Sequence, residues 1–463
     1  MTSVRVAVLV AAVLVFGGCS FSPGSERSGT GGAAGITIDP LGHAGTTGQG
    51  PCDGLQCQQT TCKKGNCAQP PCGGGVVTRL TGKVYDPAGK VPLPNVDVFV
   101  PNKALADYVD GPACDTCAMA LSGAPVVHAK TDTMGNFTLG DSSADVPVGS
   151  GIPLVIQVGR WRRQVTVDVP ACADTAVVAD ISRLPRNQSE GHLPKIALTT
   201  GGADALECLL RKIGISDSEF THESGSGRVN FFAGVDGTNK FNAALGGASF
   251  TPVAPWWDDA NNLRKYDMIL HSCEGTESPT NKSTAARMAL QQYADAGGRV
   301  FASHWHNYWF EHGPTPWPTI AHFHHQADLA IPFTATIDTS FERGMQMATW
   351  LMNVGGSTTF GQLEIRGAQH TIDTVGTGRQ WIYSTNPQSV QYLDATMPLQ
   401  GQACGRVVLS DIHVSQGGSS STEDDSDPNL AYPDGCRTID LSPQEKALEF
   451  MIFDLSSCVE IIG

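Results

Sequence analysis

Histidine, cysteine and carboxylate side chains follow three apolar runs in the C-terminal part of the sequence. In chain order, the runs end in His271-Ser272-Cys273-Glu274, His304-Trp305-His306 and Asp411-Ile412-His413. Imidazole and carboxylate groups are zinc ligands, and a catalytic zinc needs three protein ligands and one open position for water. One hypothesis is therefore a metal site of His304, His306 and His413, with Glu274 as a further ligand or as base. On an extended strand, His304 and His306 would share a face, because side chains alternate with a period of two.

A second hypothesis for the same residues needs no metal. His413 would act as the general base, and either Cys273 or a water molecule would be the nucleophile. A buried cysteine is usually inert, because burial favours the thiol over the reactive thiolate. Both hypotheses describe a hydrolase, and the sequence does not choose between them.

Alternating strand and helix patterns from residue 194 onward supply the elements that position these side chains. Strands are predicted at residues 195–200, 228–232, 267–270, 300–303 and 407–409, and helices at 205–213, 285–296 and from residue 442. The last helix opens with Ser442-Pro443-Gln444-Glu445, an N-cap followed by proline and a capping-box glutamate. This alternation predicts a mainly parallel α/β sheet covered on both faces. Ligands of such sheets bind outside the carboxyl ends of the strands, where the three polar runs lie.

Four segments of this region carry a family resemblance. They are Tyr266-Asp267-Met268-Ile269-Leu270, Ala296-Gly297-Gly298, Ser303-His304-Trp305 and the late strand that ends in His413. Together they resemble the class I glutamine amidotransferase-like superfamily, and in particular its trehalose-utilisation-type branch. The resemblance implies a flavodoxin-like domain over residues 192–460, with a nucleophilic cysteine after the strand at 299–303 and a histidine after a later strand. His413 matches that histidine, but His304 stands at the nucleophile position and Cys273 lies one βα unit too early, so glutamine amidotransferase activity is not expected.

Residues 78–185 show a different pattern, with short strands, turns and no helical periodicity. Regularly spaced strands of this kind indicate a β-sandwich. The order Gly82-Lys83-Val84-Tyr85-Asp86, Pro92-Leu93-Pro94-Asn95-Val96, Thr131-Asp132 and Gly135-Asn136-Phe137 resembles the carboxypeptidase regulatory-like domain. The resemblance implies a small transthyretin-like sandwich without catalytic residues.

The first residues resemble a bacterial lipoprotein signal. Arg5 precedes an apolar run that ends in Phe16-Gly17-Gly18-Cys19, so cleavage before Cys19 would leave that cysteine to carry the lipid. The alternative is an ordinary secretory signal with a chance cysteine. Residues 1–19 are thus predicted to be a signal peptide and lipobox, 20–50 a flexible tether and 51–77 a cysteine-rich stalk. This predicts an extracytoplasmic protein on the outer membrane or cell surface, with the membrane as partner through the lipid anchor.

Charge and cysteine usage narrow the function classes. The formal net charge of -15 argues against nucleic acid as a partner. Fourteen cysteines in a secreted chain imply disulfides, and thirteen remain after Cys19, so at least one is left without a partner in the same chain. Cys404 and Cys436 flank an acidic loop and are the first candidates for a bridge. The CxxC motif at Cys114 and Cys117 is expected to form structural bridges rather than a redox centre.

Two functions stay open at this stage. Residues 305–325 are rich in aromatic residues and include the tract Ala321-His322-Phe323-His324-His325, which suits sugar rings or a metal but also suits loop packing. The first function is binding of carbohydrate or another envelope component by the α/β domain. The alternative is a metal-assisted surface hydrolase, with zinc as the possible cofactor, acting on a glycan or an amide. The whole chain is similar to bacterial lipoproteins with this succession of domains.

Overall fold

The computed structural model describes residues 72, 76–117, 119, 121–141, 146–414, 426–437 and 440–459. Four short backbone strands precede this part: β1 (Thr37–Ile38) pairs with β2 (Ala44–Gly45), and β3 (Thr61–Lys63) pairs with β4 (Asn66–Ala68). The chain forms two units, Met1–Pro51 and Cys52–Gly463. The predicted signal peptide with Cys19 lies outside the described residues, as do the predicted tether and stalk apart from these strands, Cys72 and residues 76–77.

Seven strands form two facing sheets in the first part of the larger unit. They are β5 (Arg79–Lys83), β6 (Asp97–Pro101), β7 (Pro125–Lys130), β8 (Asn136–Leu139), β9 (Gly149–Val158), β10 (Trp161–Val169) and β11 (Asp174–Ala176). One sheet has the order β10-β9-β6-β7 and the other β11-β5-β8. Leu80, Val98, Phe137 and Leu154 are buried between them. The strand alternation predicted for this region is confirmed.

An eleven-stranded mixed sheet forms the rest of the unit. Its parallel half comprises β12 (Ile196–Thr199), β13 (Phe220–His222), β14 (Val229–Ala233), β15 (Thr251–Pro252), β16 (Met268–His271), β17 (Arg299–Ser303) and, late in the chain, β24 (Gly405–Ser410). The order is β13-β14-β12-β16-β17-β24, and β15 pairs with β14. The carboxyl ends of β16, β17 and β24 therefore lie side by side at one edge of the sheet.

The other half of the sheet is antiparallel, which the sequence analysis did not predict. The chain between β17 and β24 forms β18 (Ala321–Phe323), β19 (Phe333–Ile337), β20 (Gln362–Ile365), β21 (Ile372–Val375), β22 (Arg379–Thr385) and β23 (Gln388–Met397). Strands β23, β22, β19 and β20 continue the sheet beyond β24, while β18 pairs with β21. Buried and exposed residues alternate along β19 and β20, as they do in antiparallel strands with one solvated face.

The helices are α1 (Leu206–Lys212), α2 (Val253–Trp257), α3 (Ala260–Leu263), α4 (Thr284–Asp295), α5 (Tyr308–Glu311), α6 (Glu342–Asn353) and α7 (Pro443–Ser456). The predicted start of α7 is confirmed, because Ser442 and Glu445 form a complete capping box with Pro443 in the first turn. Gly297 ends α4 with φ +105°, a conformation that favours glycine. None of the described helices has the length and apolar composition that a membrane span requires.

Two disulfides join the β-sandwich to the amino edge of the mixed sheet. The loop between β6 and β7 supplies Cys114, which pairs with Cys404, and Cys117, which pairs with Cys458. The CxxC motif is therefore structural, as predicted. Cys72 pairs with Cys172, which lies between β10 and β11.

The predicted Cys404–Cys436 bridge is wrong. Cys436 pairs with Cys208 of α1 instead. Cys404 directly precedes β24 at the amino edge of the sheet, whereas α1 follows the carboxyl end of β12, so the two cysteines lie at opposite edges. Among the described cysteines, Cys273 alone is free, and it is buried.

Candidate functional site

Cys273, His304 and His413 converge at the carboxyl edge of the parallel half. They follow the neighbouring strands β16, β17 and β24, so the strand order itself brings them together. The Cys273 Sγ lies 3.4 Å from Nδ1 of His304, and the ring centroids of His304 and His413 are 5.4 Å apart. One ligand atom from each residue falls within 4.8 Å of the other two. All three side chains are buried, with exposures of 0%, 3% and 3%.

His304 has an unusual backbone conformation. Its φ is +36°, in the left-handed region that residues other than glycine rarely enter. Such a residue costs on the order of 1–3 kcal/mol and persists only where its surroundings enforce it. The sharp turn directly after β17 directs the imidazole toward Cys273 rather than along the strand.

Asp204 holds two of the three segments in place. Its Oδ2 accepts a hydrogen bond from Ser303 Oγ at 2.6 Å, next to His304, and its Oδ1 accepts one from the Val414 backbone N–H at 2.8 Å, next to His413. Gly201, earlier in the same loop, lets this loop pass close to the chain after β16. A Cβ at that position would collide with the backbone carbonyl oxygens of residues 272 and 273. Asp204 thus positions the cluster without belonging to it.

Burial keeps the three groups uncharged. Desolvation raises the pKa of the Cys273 thiol to about 12 and lowers the pKa of His304 to about 2, with smaller contributions from His413 and His325. Desolvation also lowers the pKa of His413, although the Asp204 carboxylate opposes that shift. The thiolate–imidazolium pair of a cysteine nucleophile is therefore disfavoured.

The same neutral groups suit a transition metal. Neutral imidazoles bind metals directly, and a coordinated thiol loses its proton to the solvent. Zinc bond lengths and tetrahedral angles place ligand atoms about 3.4–3.6 Å apart, and the Sγ–Nδ1 distance is 3.4 Å. The Nε2 atom of His413 is buried and has no hydrogen-bond partner, so it is free to bind an ion.

His306 does not join the cluster, contrary to the predicted set of His304, His306 and His413. Residues His304–Asn307 form a 3₁₀ turn rather than an extended strand, and two residues along such a turn rotate a side chain by about 240°. The Nε2 of His306 contacts the Ser272 carbonyl oxygen at 2.9 Å, and its Nδ1 accepts a hydrogen bond from Trp309 Nε1 at 2.9 Å. Both ring nitrogens of His306 are thus hydrogen-bonded elsewhere, and Cys273 is the third member of the cluster.

Glu274 does not belong to the cluster either. Its carboxylate forms a fully buried ion pair with Lys282, and its Oε1 accepts a hydrogen bond from the Val235 backbone N–H at 3.1 Å. These contacts join the loop after β16 to the end of β14. The structure therefore places Glu274 in a structural pair and not in the role of ligand or base that the sequence suggested.

The aromatic segment of residues 305–325 mostly fills the core. Trp309, Phe310 and Trp317 are fully buried, while Trp305 and Tyr308 are half-buried. In the neighbouring histidine tract, His324 Nδ1 contacts Asp373 at 2.8 Å and His325 Nε2 contacts Glu311 at 2.8 Å.

Sequence reasoning missed Asp204 as a positioning residue. It lies just past the carboxyl end of β12, so the rule that drew attention to the other strand ends would also have selected it. The sharp turn at His304 has no comparable signal, because the position lacks the glycine that usually marks a left-handed residue.

Comparison with known proteins yields little. No protein-family model matches the chain, and no curated protein matches it. One of two matching chains among solved structures belongs to a type II cohesin–X-dockerin complex from Acetivibrio cellulolyticus, with 14% sequence identity and a TM-score of 0.14. The match covers 32% of this chain and 78% of that chain, and at this TM-score it carries no argument about fold or function.

Proposed function

We propose that the α/β region binds one transition-metal ion, with zinc the best match, through Cys273, His304 and His413, and acts as a metal-assisted hydrolase. The observation that carries the proposal is the convergence of three uncharged, buried ligand groups within 4.8 Å of one another. No fourth candidate ligand joins them within the described ranges. Three protein ligands leave a fourth position for water, whose pKa a bound zinc lowers to about 7.

A hydrolase that uses Cys273 as nucleophile is the weaker alternative. The thiol has its pKa raised to about 12 by burial, and its imidazole neighbour has its pKa lowered to about 2. At neutral pH the pair would hold a thiol and a neutral imidazole, the unreactive combination.

The strand order supports a flavodoxin-like assignment for this region. The edge strand β13 and the short β15 are left out of this comparison. If the parallel strands β12, β14, β16, β17 and β24 are numbered 1 to 5 along the chain, their order across the sheet is 2-1-3-4-5. This is the order of flavodoxin-like sheets, whose ligands lie at the carboxyl edge near the reversal of strand order. In the resemblance to the amidotransferase-like superfamily, the position of the cysteine nucleophile falls at or near His304, and we propose that a metal ligand stands there in its place.

The remaining regions fit a protein of the cell surface. In this proposal Cys19 carries the lipid anchor, residues 20–77 link it to the body, and the β-sandwich is a carboxypeptidase regulatory-like domain without catalytic residues. The substrate class is a glycan or an amide of the envelope. Simple carbohydrate binding has less support, because three of the aromatic side chains that would stack on sugars are buried in the core.

Metal analysis of the full-length protein tests the proposal. The wild-type protein should contain about one equivalent of zinc, and Cys273→Ser and His413→Ala should each lose it. His304→Asn should also lose the ion, and asparagine tolerates the left-handed turn better than most residues. Ser272→Ala is the matched control, since its Oγ is buried and unpaired.

Two outcomes contradict the proposal. The first is wild-type protein that binds no metal when titrated with Zn²⁺. The second is a Cys273→Ser protein that is folded and retains the full metal content.

A further inference from the structure

A second cluster of metal-ligating side chains lies beside the first but shares no residue with it. It comprises Glu277 after β16, Asn307 in the 3₁₀ turn after β17, Glu311 at the end of α5, and His325 after β18. The Trp305 ring separates the clusters, with its centroid 4.5 Å from the ring of His304 and 5.4 Å from that of His325.

Three polar atoms of this cluster meet at nearly equal distances. The Nε2 of His325 lies 2.8 Å from Oε2 of Glu311. The Nδ2 of Asn307 lies 3.0 Å from the same oxygen and 3.1 Å from Nε2 of His325. The Oε1 of Glu277 lies 3.6 Å from the same imidazole nitrogen. Glu277 and Glu311 also offer ligand atoms within 4.8 Å of one on His312.

Hydrogen bonds leave this arrangement crowded and one of its atoms without a partner. With a proton on Nε2, His325 and Asn307 both donate to the same oxygen of Glu311 although their nitrogens lie only 3.1 Å apart. An unprotonated Nε2 would leave its contact with the carboxylate without a donor. The Asn307 side chain is fully buried, and its Oδ1 has no hydrogen-bond partner. In the structure Nδ2 donates to Oε2 of Glu311. A cation at the point where the atoms meet would favour a half-turn of the amide, which exchanges Nδ2 for the unpartnered Oδ1.

With the amide turned, the cluster has the spacing of a metal site. Octahedral coordination with bonds of about 2.1 Å places neighbouring ligand atoms about 3.0 Å apart. The three distances of 2.8, 3.0 and 3.1 Å form one triangular face of such an octahedron. In the part of the chain that the structure describes, the carboxylates of Glu277 and Glu311 form ion pairs with His325 alone. Lys282 bonds the Glu277 backbone carbonyl oxygen at 2.7 Å, but its ion pair is with Glu274.

We propose that Asn307, Glu311, His325 and Glu277 bind a divalent cation of the Mn²⁺ type. Carboxylate and amide oxygens suit Mn²⁺, and an imidazole nitrogen is compatible with it, whereas a soft metal would prefer the thiolate of the first cluster. The ion joins the loop after β16, α5 and the loop after β18. It thereby fixes Trp305 against the first cluster. The proposal depends on its own residues and not on the zinc site.

Titration of the full-length protein with Mn²⁺, followed by electron paramagnetic resonance, tests the second site. Binding removes the signal of free Mn²⁺, so the affinity is read without any enzyme assay. The isosteric Glu311→Gln and the His325→Gln variants should each weaken binding by about tenfold or more. His324→Gln is the matched control, because His324 is next in sequence to the ligand but contacts Asp373 instead.

The Cys273→Ser protein separates the two proposals. It should lose zinc and still bind Mn²⁺ like the wild-type protein. The second site is ruled out if wild-type protein leaves the Mn²⁺ signal unchanged at millimolar concentrations, at the weak end of cation sites (about 10⁻³ M). It is also ruled out if folded Glu311→Gln and His325→Gln proteins bind Mn²⁺ as the wild-type protein does.

Discussion

The two edges of the parallel half-sheet have opposite characters. At the amino edge, charged groups are paired and disulfides hold the chain. Asp267, which precedes β16, accepts hydrogen bonds from the backbone N–H groups of Lys195 and Gly111 at 2.6 and 2.8 Å, and it also pairs with Arg160 and Arg228. The Cys114–Cys404 and Cys117–Cys458 bridges lie at the same edge.

At the carboxyl edge, buried polar atoms are left without partners. His271 Nε2, Ser272 Oγ, Asn307 Oδ1 and His413 Nε2 all lack a hydrogen bond among the described atoms. Each such group costs free energy, on the order of 1–3 kcal/mol when it is fully desolvated. One edge of this sheet is therefore built for stability, and the other keeps its polar groups available for a ligand.

The largest expected effect is at the amino edge. Asp267→Ala leaves Arg160 and Arg228 without their buried anion and should lower the free energy of unfolding by about 3–5 kcal/mol. Urea denaturation measures the change. Asp440→Ala, which removes an exposed ion pair with Lys90, should have no measurable effect. An Asp267→Ala protein as stable as the wild type would contradict the claim that paired charges at the amino edge stabilise the fold.

Zinc should stabilise the carboxyl edge strongly. An ion that binds the folded state alone adds about 4 kcal/mol at a free concentration a thousand times its Kd. Zn²⁺ should therefore raise the unfolding temperature strongly, both in the wild-type protein and in Ser272→Ala. Cys273→Ser should show no such difference, and a Zn²⁺-induced shift of equal size in this variant would argue against thiolate ligation.

Lowering the pH should decrease the free energy of unfolding through the buried His271 at the carboxyl edge. Desolvation lowers the pKa of His271 to about 3, whereas an unfolded histidine titrates near 6.5. Between these values the unfolded chain binds the extra proton, so stability falls as the pH decreases. In a His271→Asn protein, the fall in unfolding free energy between about pH 6 and pH 4 should be shallower by about 1.4 kcal/mol per pH unit.

Buried carboxyl groups have the opposite effect on stability as the pH falls, but their contribution is the same in the wild-type and His271→Asn proteins. Desolvation raises the pKa of Asp411 to about 6, so its protonation favours the folded state as the pH falls. The group is present in both proteins, and the difference between their slopes isolates His271. Parallel pH profiles for the two proteins would contradict the assignment of a neutral, buried His271.

The smallest effect concerns Ser272. Its buried Oγ has no partner, so Ser272→Ala removes an unsatisfied polar group and should raise the free energy of unfolding by about 1 kcal/mol or less. Chemical denaturation of the metal-free protein measures the gain. A clear loss of stability would show that this hydroxyl is satisfied in solution and would weaken the contrast between the edges.

Local signals in the sequence predicted much of the parallel half. The Ser442 capping box and the glycine stop at Gly297 follow from short stretches of residues. So do the strand ends predicted at residues 270, 303 and 409, which lie at 271, 303 and 410 in the structure. The antiparallel extension was not predicted, because it lies inside a long insertion and its ten-residue strand β23 is buried on both faces and therefore does not alternate. The sandwich strands were predictable, but not the disulfides to the amino edge, since bridge partners depend on the tertiary fold.

The sequence predicted where the candidate site lies, but not the full set of residues that form it. Strand order alone brings Cys273, His304 and His413 together, and the sequence had named all three. It could not foresee the 3₁₀ turn that directs His306 into the core, nor Lys282 reaching Glu274. The contact of His306 with Ser272 joins segments that are distant in the chain, and the Glu274–Lys282 pair, eight residues apart, depends on the course of the loop after β16.

X-ray absorption at the zinc edge tests the central claim most directly. In zinc-loaded protein we expect one sulfur at about 2.3 Å and two imidazole nitrogens at about 2.0 Å from the metal. Cys273→Ser should remove the sulfur. A spectrum without a sulfur neighbour, or one that Cys273→Ser leaves unchanged, would contradict the proposal that Cys273, His304 and His413 hold the metal.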